Sequence, residues 1–167
     1  MKIRLIALGL LIATSALAQD MKSLNAFVGT YKCTGMSFAS EMGPEHPTTA
    51  TVTVASVMGG KWLETHYTEN KTAKNPMPFA VVTYWGWDAG QKKFISTGVD
   101  NMGGHGTQTS SGMSGDMLVF EGSMAMGPAP ITFRDTFTIK GNTATHAGAM
   151  QDKKGAWKEL DKETCKK

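Results

Sequence analysis

Residues 79–100 read FAVVTYWGWDAGQKKFISTGVD. Phe79, Val81, Thr83, Trp85 and Trp87 alternate onto one side of an extended segment, the period-two signature of a strand. Asp88-Ala89-Gly90 supplies turn chemistry, and a second strand-like run follows over 92–100. A hairpin whose two arms are rich in aromatic and β-branched residues points to an all-β fold. The rest of the chain repeats the pattern.

Working outward, strands are expected over 28–38, 48–58, 61–70, 104–112, 116–123, 131–139, 143–150 and 155–163. Gly59-Gly60, Gly115-Asp116, Gly141-Asn142 and Lys154-Gly155 punctuate them. All six prolines fall into three expected connections, as Pro44/Pro47, Pro76/Pro78 and Pro128/Pro130. That keeps them out of strand interiors, where the missing N–H would break a ladder. One short helix is expected, from Asp20 as N-cap through Leu24 to Phe27. About ten short strands joined by tight turns predict an antiparallel up-and-down barrel, which removes both sheet edges by closing on itself.

The N-terminus carries an export signal. Lys2 and Arg4 precede an apolar run from Leu5 to Ala13, and Ala16-Leu17-Ala18 gives the small-x-small cleavage pattern. The run is too short to span a bilayer. Residues 1–18 are therefore expected to be a signal peptide, with 19–167 forming a single domain in the periplasm or outside the cell. Without Lys2 and Arg4 the 17 basic residues become 15, against 14 acidic ones, for a net charge of +1. Signs are mixed throughout, so neither a nucleic-acid stripe nor a polybasic membrane patch is present. The tail from Lys153 to Lys167, with Asp152, Glu159, Asp161 and Glu163 among its lysines, reads as solvated surface.

Cys33 and Cys165 are the only cysteines. In an exported chain they are expected to pair, and barrel closure would bring the first and last strands together to let them. Two buried thiols or a soft-metal site are the alternatives.

Several short motifs resemble one family. Leu24-Asn25-Ala26-Phe27-Val28-Gly29-Thr30-Tyr31 is similar to the lead-in of lipocalin-like (calycin) barrels. Gly59-Gly60-Lys61-Trp62-Leu63-Glu64, Trp85-Gly86-Trp87-Asp88 with Lys92-Lys93-Phe94, Asp100-Asn101 and Phe133-Arg134-Asp135, in that order, resemble an uncharacterised lipocalin-like family of exported bacterial proteins, a domain of unknown function. Tyr31 stands where such barrels often have Trp, and Trp87 where a Tyr is common. The resemblance implies a fold and no activity, so no catalytic residue is carried over from it.

Catalytic signatures such as G-x-S-x-G, H-E-x-x-H, a Walker loop or a Rossmann fingerprint are absent, and no cofactor is expected. Two functional classes remain. In the first, the barrel binds a small, largely apolar or weakly anionic ligand in a pocket lined by Trp62, Trp85, Phe133 and Arg134. Arg134 is the one arginine after residue 18, and a planar guanidinium suits a carboxylate or an anionic ligand. Glu64 or Asp100 would pair with it when the pocket is empty. That role requires the Thr132-Arg134-Thr136-Thr138 face to point inward; with Ile131, Phe133, Phe137 and Ile139 inside, Arg134 is a surface residue. Asp135, sharing the apolar face, then needs a partner, such as an internal salt bridge.

In the second class, Glu64 and His66, on one strand face with Trp62, act as acid and base or hold a metal. Met102, Met113, Met124, Met126 and His105 offer soft ligands that suit Cu(I). Core filling explains the same methionines. A filled, purely structural envelope or stress barrel is the third reading.

Overall fold

The structure, a computed structural model, describes residues 21–167 other than 42, 126 and 128. The signal expected over 1–18, Asp20 and Met126 lie outside the described residues. A 3₁₀ helix, Met21–Phe27, leads into eleven strands: β1 (Gly29–Ser37), β2 (His46–Val57), β3 (Trp62–Glu69), β4 (Ala80–Asp88), β5 (Lys93–Asp100), β6 (His105–Ser110), β7 (Met113–Ser114), β8 (Met117–Ala125), β9 (Pro130–Lys140), β10 (Thr143–Gln151) and β11 (Trp157–Lys166).

β1 pairs with both β2 and β11, and β6 pairs with β8, so ten strands close into an antiparallel barrel. The two-residue β7 pairs with β8 alone, an additional spur between the strands expected over 104–112 and 116–123. Turn chemistry works as expected at several corners. Gly90 and Gln91 donate their N–H groups to Asp88 Oδ1, and Gly141 adopts φ 58° between β9 and β10, where a side chain would be strained. Pro47 and Pro130 are exceptions to the expected placement. They lie inside β2 and β9, but at the second and first residues, where a ladder N–H is least needed.

The seam between β1 and β11 places Cys33 directly opposite Cys165, and the two form a disulfide. Both cysteines are buried with the core.

The barrel interior divides into two halves. Towards the 3₁₀ helix, the inward positions carry Leu63, Trp85, Phe94, Leu118, Phe120 and Ile139, all buried, and Leu24 and Phe27 plug that end. The Trp85 ring lies among Phe27, Phe120 and Phe137, with centroids 5.6, 5.3 and 5.0 Å away. The Tyr31 hydroxyl donates to the Phe27 carbonyl at 2.9 Å, holding the plug to β1. Towards the opposite end, the inward rows change to Thr48, Thr65, Thr83, Ser96, Gly98 and Gly106, residues too small to fill the middle.

Gly98, Gly106 and Gly122 also let the sheet coil tightly. A Cβ on Gly122 would sit 2.5 Å from the Gln108 Cα of the neighbouring strand, and one on Gly98 would sit 2.7 Å from the Thr83 methyl. Glycine at such points allows close backbone approach and strong curvature. Gly122→Ala is therefore expected to cost about 1–3 kcal/mol, the range for forced overpacking, measured by urea unfolding. An unchanged midpoint would show that the wall accommodates a side chain there.

Candidate functional site

The small inward residues leave a cavity of about 500 Å³, running from the aromatic floor at Trp85 and Phe137 to the end opposite the 3₁₀ helix. This lies within the range of about 300–1,000 Å³ typical of small-molecule sites. Val52, Val81, Phe133 and Met124 give its wall a largely apolar character. The loop over residues 70–79 lies across the mouth, contributing Asn75, Pro76 and Met77. Glu69, the last residue of β3, ties that loop down. Its Oε2 accepts from Asn75 Nδ2 at 2.6 Å and from the Phe79 N–H at 2.8 Å.

A polar network is built into the wall. His146 on β10 stacks on Phe137, with ring centroids 4.8 Å apart. It donates Nε2–H to Asp135 on β9 at 2.8 Å and lies with Nδ1 3.0 Å from Asp161 on β11. Asp135 is held in turn by Gln108 Nε2 at 2.7 Å. Burial alone would lower the His146 pKa, but the charge of Asp161 and the bonds to both aspartates outweigh it and raise it well above the ordinary value. His146 is therefore an internal imidazolium clamped by two carboxylates. With both nitrogens engaged, it holds strands together and offers no free lone pair for base chemistry.

Next to it, the buried Glu163 accepts at Oε1 from Thr48 Oγ1 and from the Tyr67 hydroxyl, each at 2.8 Å. Burial pushes the Glu163 carboxyl upward in pKa. Burial, with the nearby Glu163 and Glu69 charges, also keeps the Tyr67 phenol protonated far above its usual range. Asp161 and Glu163 thus correct the expectation that the tail is solvated surface. Along β11, Asp161, Glu163 and Cys165 face inward, whereas Lys162, Thr164 and Lys166 face out. A lysine-rich composition hides this alternation.

The cavity brings together only part of the expected site. Trp85 forms its floor, Phe133 its wall, and Asp100 lies in the wall near the mouth. Trp62, Glu64, His66 and Arg134 are on the outer face. Leu63, Thr65, Tyr67 and Glu69 take the inward row of β3, so the other row must point out. Trp62 instead lies flat over Gly86, whose missing side chain makes room for the ring. His66 donates to Glu64 at 2.9 Å, and Tyr84 donates to the same oxygen at 3.1 Å. These bonds pull the Glu64 carboxyl below its ordinary value.

Arg134 is excluded from the cavity because Phe133, Asp135 and Phe137 take the inward row of β9. Its Nε donates to Glu121 at 2.7 Å, and its guanidinium lies 3.9 Å from the centre of the Trp157 ring. Arg134→Lys should leave any ligand affinity unchanged and cost under about 1 kcal/mol, since exposed ion pairs and cation–π contacts are weak. A large loss of affinity in a binding assay would contradict this placement.

The soft-ligand set is dispersed. Met102 is at the mouth and exposed, Met124 lines the cavity, Met113 packs against the core and His105 faces outward. Among the described residues, the one group of His, Cys, Asp and Glu atoms close enough to share a metal is Cys33, Glu163 and Cys165. Its two sulfurs are bonded to each other.

A family model described as a protein of unknown function (DUF1579) matches residues 18–166, which spans the whole barrel. The chain belongs to the DUF1579 family. No curated protein matches it. Among solved structures, this DUF1579 barrel is similar to Rv2717c from M. tuberculosis, with a TM-score of 0.69 and 13% identity over 91% of this chain and 98% of that one. At that identity the likeness speaks for the fold alone. A protein of unknown function from the DUF3598 family of Nostoc punctiforme matches 86% of the DUF1579 chain and 48% of its own, with 10% identity and a TM-score of 0.40, too low to bear on the argument.

Proposed function

We propose that the protein is an exported binding module that holds a small, largely apolar molecule inside the barrel. The observation that carries this reading is the half-filled interior: an apolar-walled hollow of about 500 Å³ beyond a fully packed aromatic floor. Burying a ligand there removes apolar surface from water, at roughly 25 cal/mol per Å² before association costs. A lipocalin-like affiliation and an exported location agree with this reading. The barrel architecture, the disulfide and the absence of a membrane-crossing helix among the described residues are each compatible with it. The weakly anionic alternative finds little support in a wall so rich in carboxylates.

The test uses the mature chain and the neutral fluorescent probe N-phenyl-1-naphthylamine. Binding should raise probe fluorescence and quench that of Trp85. Ser96→Phe, which places a ring in the hollow from a buried cavity-lining position, should abolish binding while the far-ultraviolet circular dichroism is retained. Absence of probe binding, together with native mass spectrometry showing no retained organic mass, would remove the reading.

A further inference from the structure

The wall of the cavity carries an excess of negative charge. Glu69, Asp100, Asp135, Asp161 and Glu163 all line it, and among the described lining residues Lys74, in the loop at the mouth, is the only lysine or arginine. Among the described residues, the ion pairs these carboxylates make are those of Asp135 and Asp161 with His146. Even with Glu163 left out, because burial favours its neutral form, the carboxylates outnumber the cations. Asp100 belongs to the same surplus. Its Oδ1 accepts from the Met102 and Gly104 N–H groups, each at 2.8 Å, and Oδ2 is enclosed against the 101–104 turn, so this carboxylate acts on the hollow through its charge and not by direct contact.

These carboxylates are hydrogen-bonded or paired within the wall, but their negative charges outnumber the positive ones, and a positive group entering with a ligand reduces that surplus. Resting on the ligand-binding reading above, we infer that the occupant is an amphiphilic organic cation, an amine or quaternary ammonium with an apolar body. The aromatic floor at Trp85 and Phe137 receives the body, and the carboxylate wall receives the head. Tyr67 and Phe79 add aromatic rings to the lining, and an ammonium is drawn to aromatic rings as well as to carboxylates. An anionic head would meet a surplus of like charge.

Decylamine, decanol and decanoate share one body and differ in the charge of the head. Each is titrated against the probe-loaded mature chain near neutral pH and below its micelle-forming concentration. Decylamine is expected to bind at least about tenfold more tightly than decanol, a gap of about 1.4 kcal/mol, with decanoate weakest. Added salt should narrow the difference.

Asp100→Asn keeps the acceptor for Met102 and Gly104 and removes one charge, so it should weaken decylamine several-fold and leave decanol unchanged. Asp161→Asn should do the same, and Asp100→Asn carries the test if the Asp161 variant fails to fold. Equal affinities for the three probes, or tightest binding of decanoate, would overturn the inference and leave the binding module standing. If neither these three nor the neutral naphthylamine binds, the binding module itself falls.

Discussion

Replacing Cys33 and Cys165 together by serine is expected to lower the unfolding free energy by about 2–5 kcal/mol. The bridge spans a sequence separation of 132 residues, and in the chain-entropy model the stabilisation grows with the logarithm of the loop closed. Its action is on the unfolded chain. The folded seam is already held by the β1–β11 ladder, whose register runs from Lys32 opposite Lys166 to Ser37 opposite Asp161. The variant should therefore keep its far-ultraviolet circular dichroism and its cavity while its urea midpoint falls. Equal midpoints for the serine variant and the untreated protein would show that the bridge contributes nothing. The same loss is expected on reduction of the wild-type chain.

His146→Leu should be the most damaging single change to the polar wall. It leaves Asp135 and Asp161 facing one another without the imidazolium between them. Removing one partner of a buried ionic group costs about 3–5 kcal/mol. The lower end, about 3 kcal/mol, applies here, because the side chains of His146, Asp135 and Asp161 keep 23%, 19% and 29% exposure. The pH dependence separates this loss from one of packing alone. The folded-state pKa of His146 is raised, so its contribution is fully present below the unfolded value of about 6.5. It is lost as pH rises through the folded value. The deficit of His146→Leu should accordingly be largest near pH 6 and shrink at alkaline pH, where the wild type loses the same proton. Parallel stability curves for the two proteins across that window would rule out the ionic role.

These two sites differ in how far the sequence reveals them. The disulfide is visible in the position of two cysteines, Cys33 in the first expected strand and Cys165 just beyond the last, in a chain that must close. The clamp is not. His146 lies among small residues in Ala144-Thr145-His146-Ala147-Gly148, and nothing local marks its partners, which come from β9 and β11. Two signals bear on it. Asp135 alternates with Phe133 and Phe137, so a carboxylate had to be accommodated wherever those rings went. Asp161 and Glu163 alternate with Cys165, so an inward cysteine carries both of them inward. The second signal is masked by the surrounding lysines.

Trp62, Glu64, His66 and Arg134 are the opposite case, conspicuous residue types that stand on the outer face. A tryptophan finds a flat seat on Gly86, and the arginine finds Glu121 and Trp157, all on neighbouring strands. Their surroundings come from cross-strand register.

From the sequence by itself came the strands, their turns, the antiparallel order and the pairing of the terminal strands. Those follow from period-two alternation, turn residues and a bridge, which are properties of short segments or of a single covalent constraint. Tertiary structure alone decided which face of each strand lines the barrel and how far side chains fill it. Alternation defines two faces without saying which is enclosed. The hollow exists because small residues from several strands coincide at one level of the barrel, while Trp85, Phe94 and Phe120 coincide at another. The charge of that hollow is likewise collective, being assembled from side chains on β3, β5, β9, β10 and β11 that meet only when the sheet coils and closes.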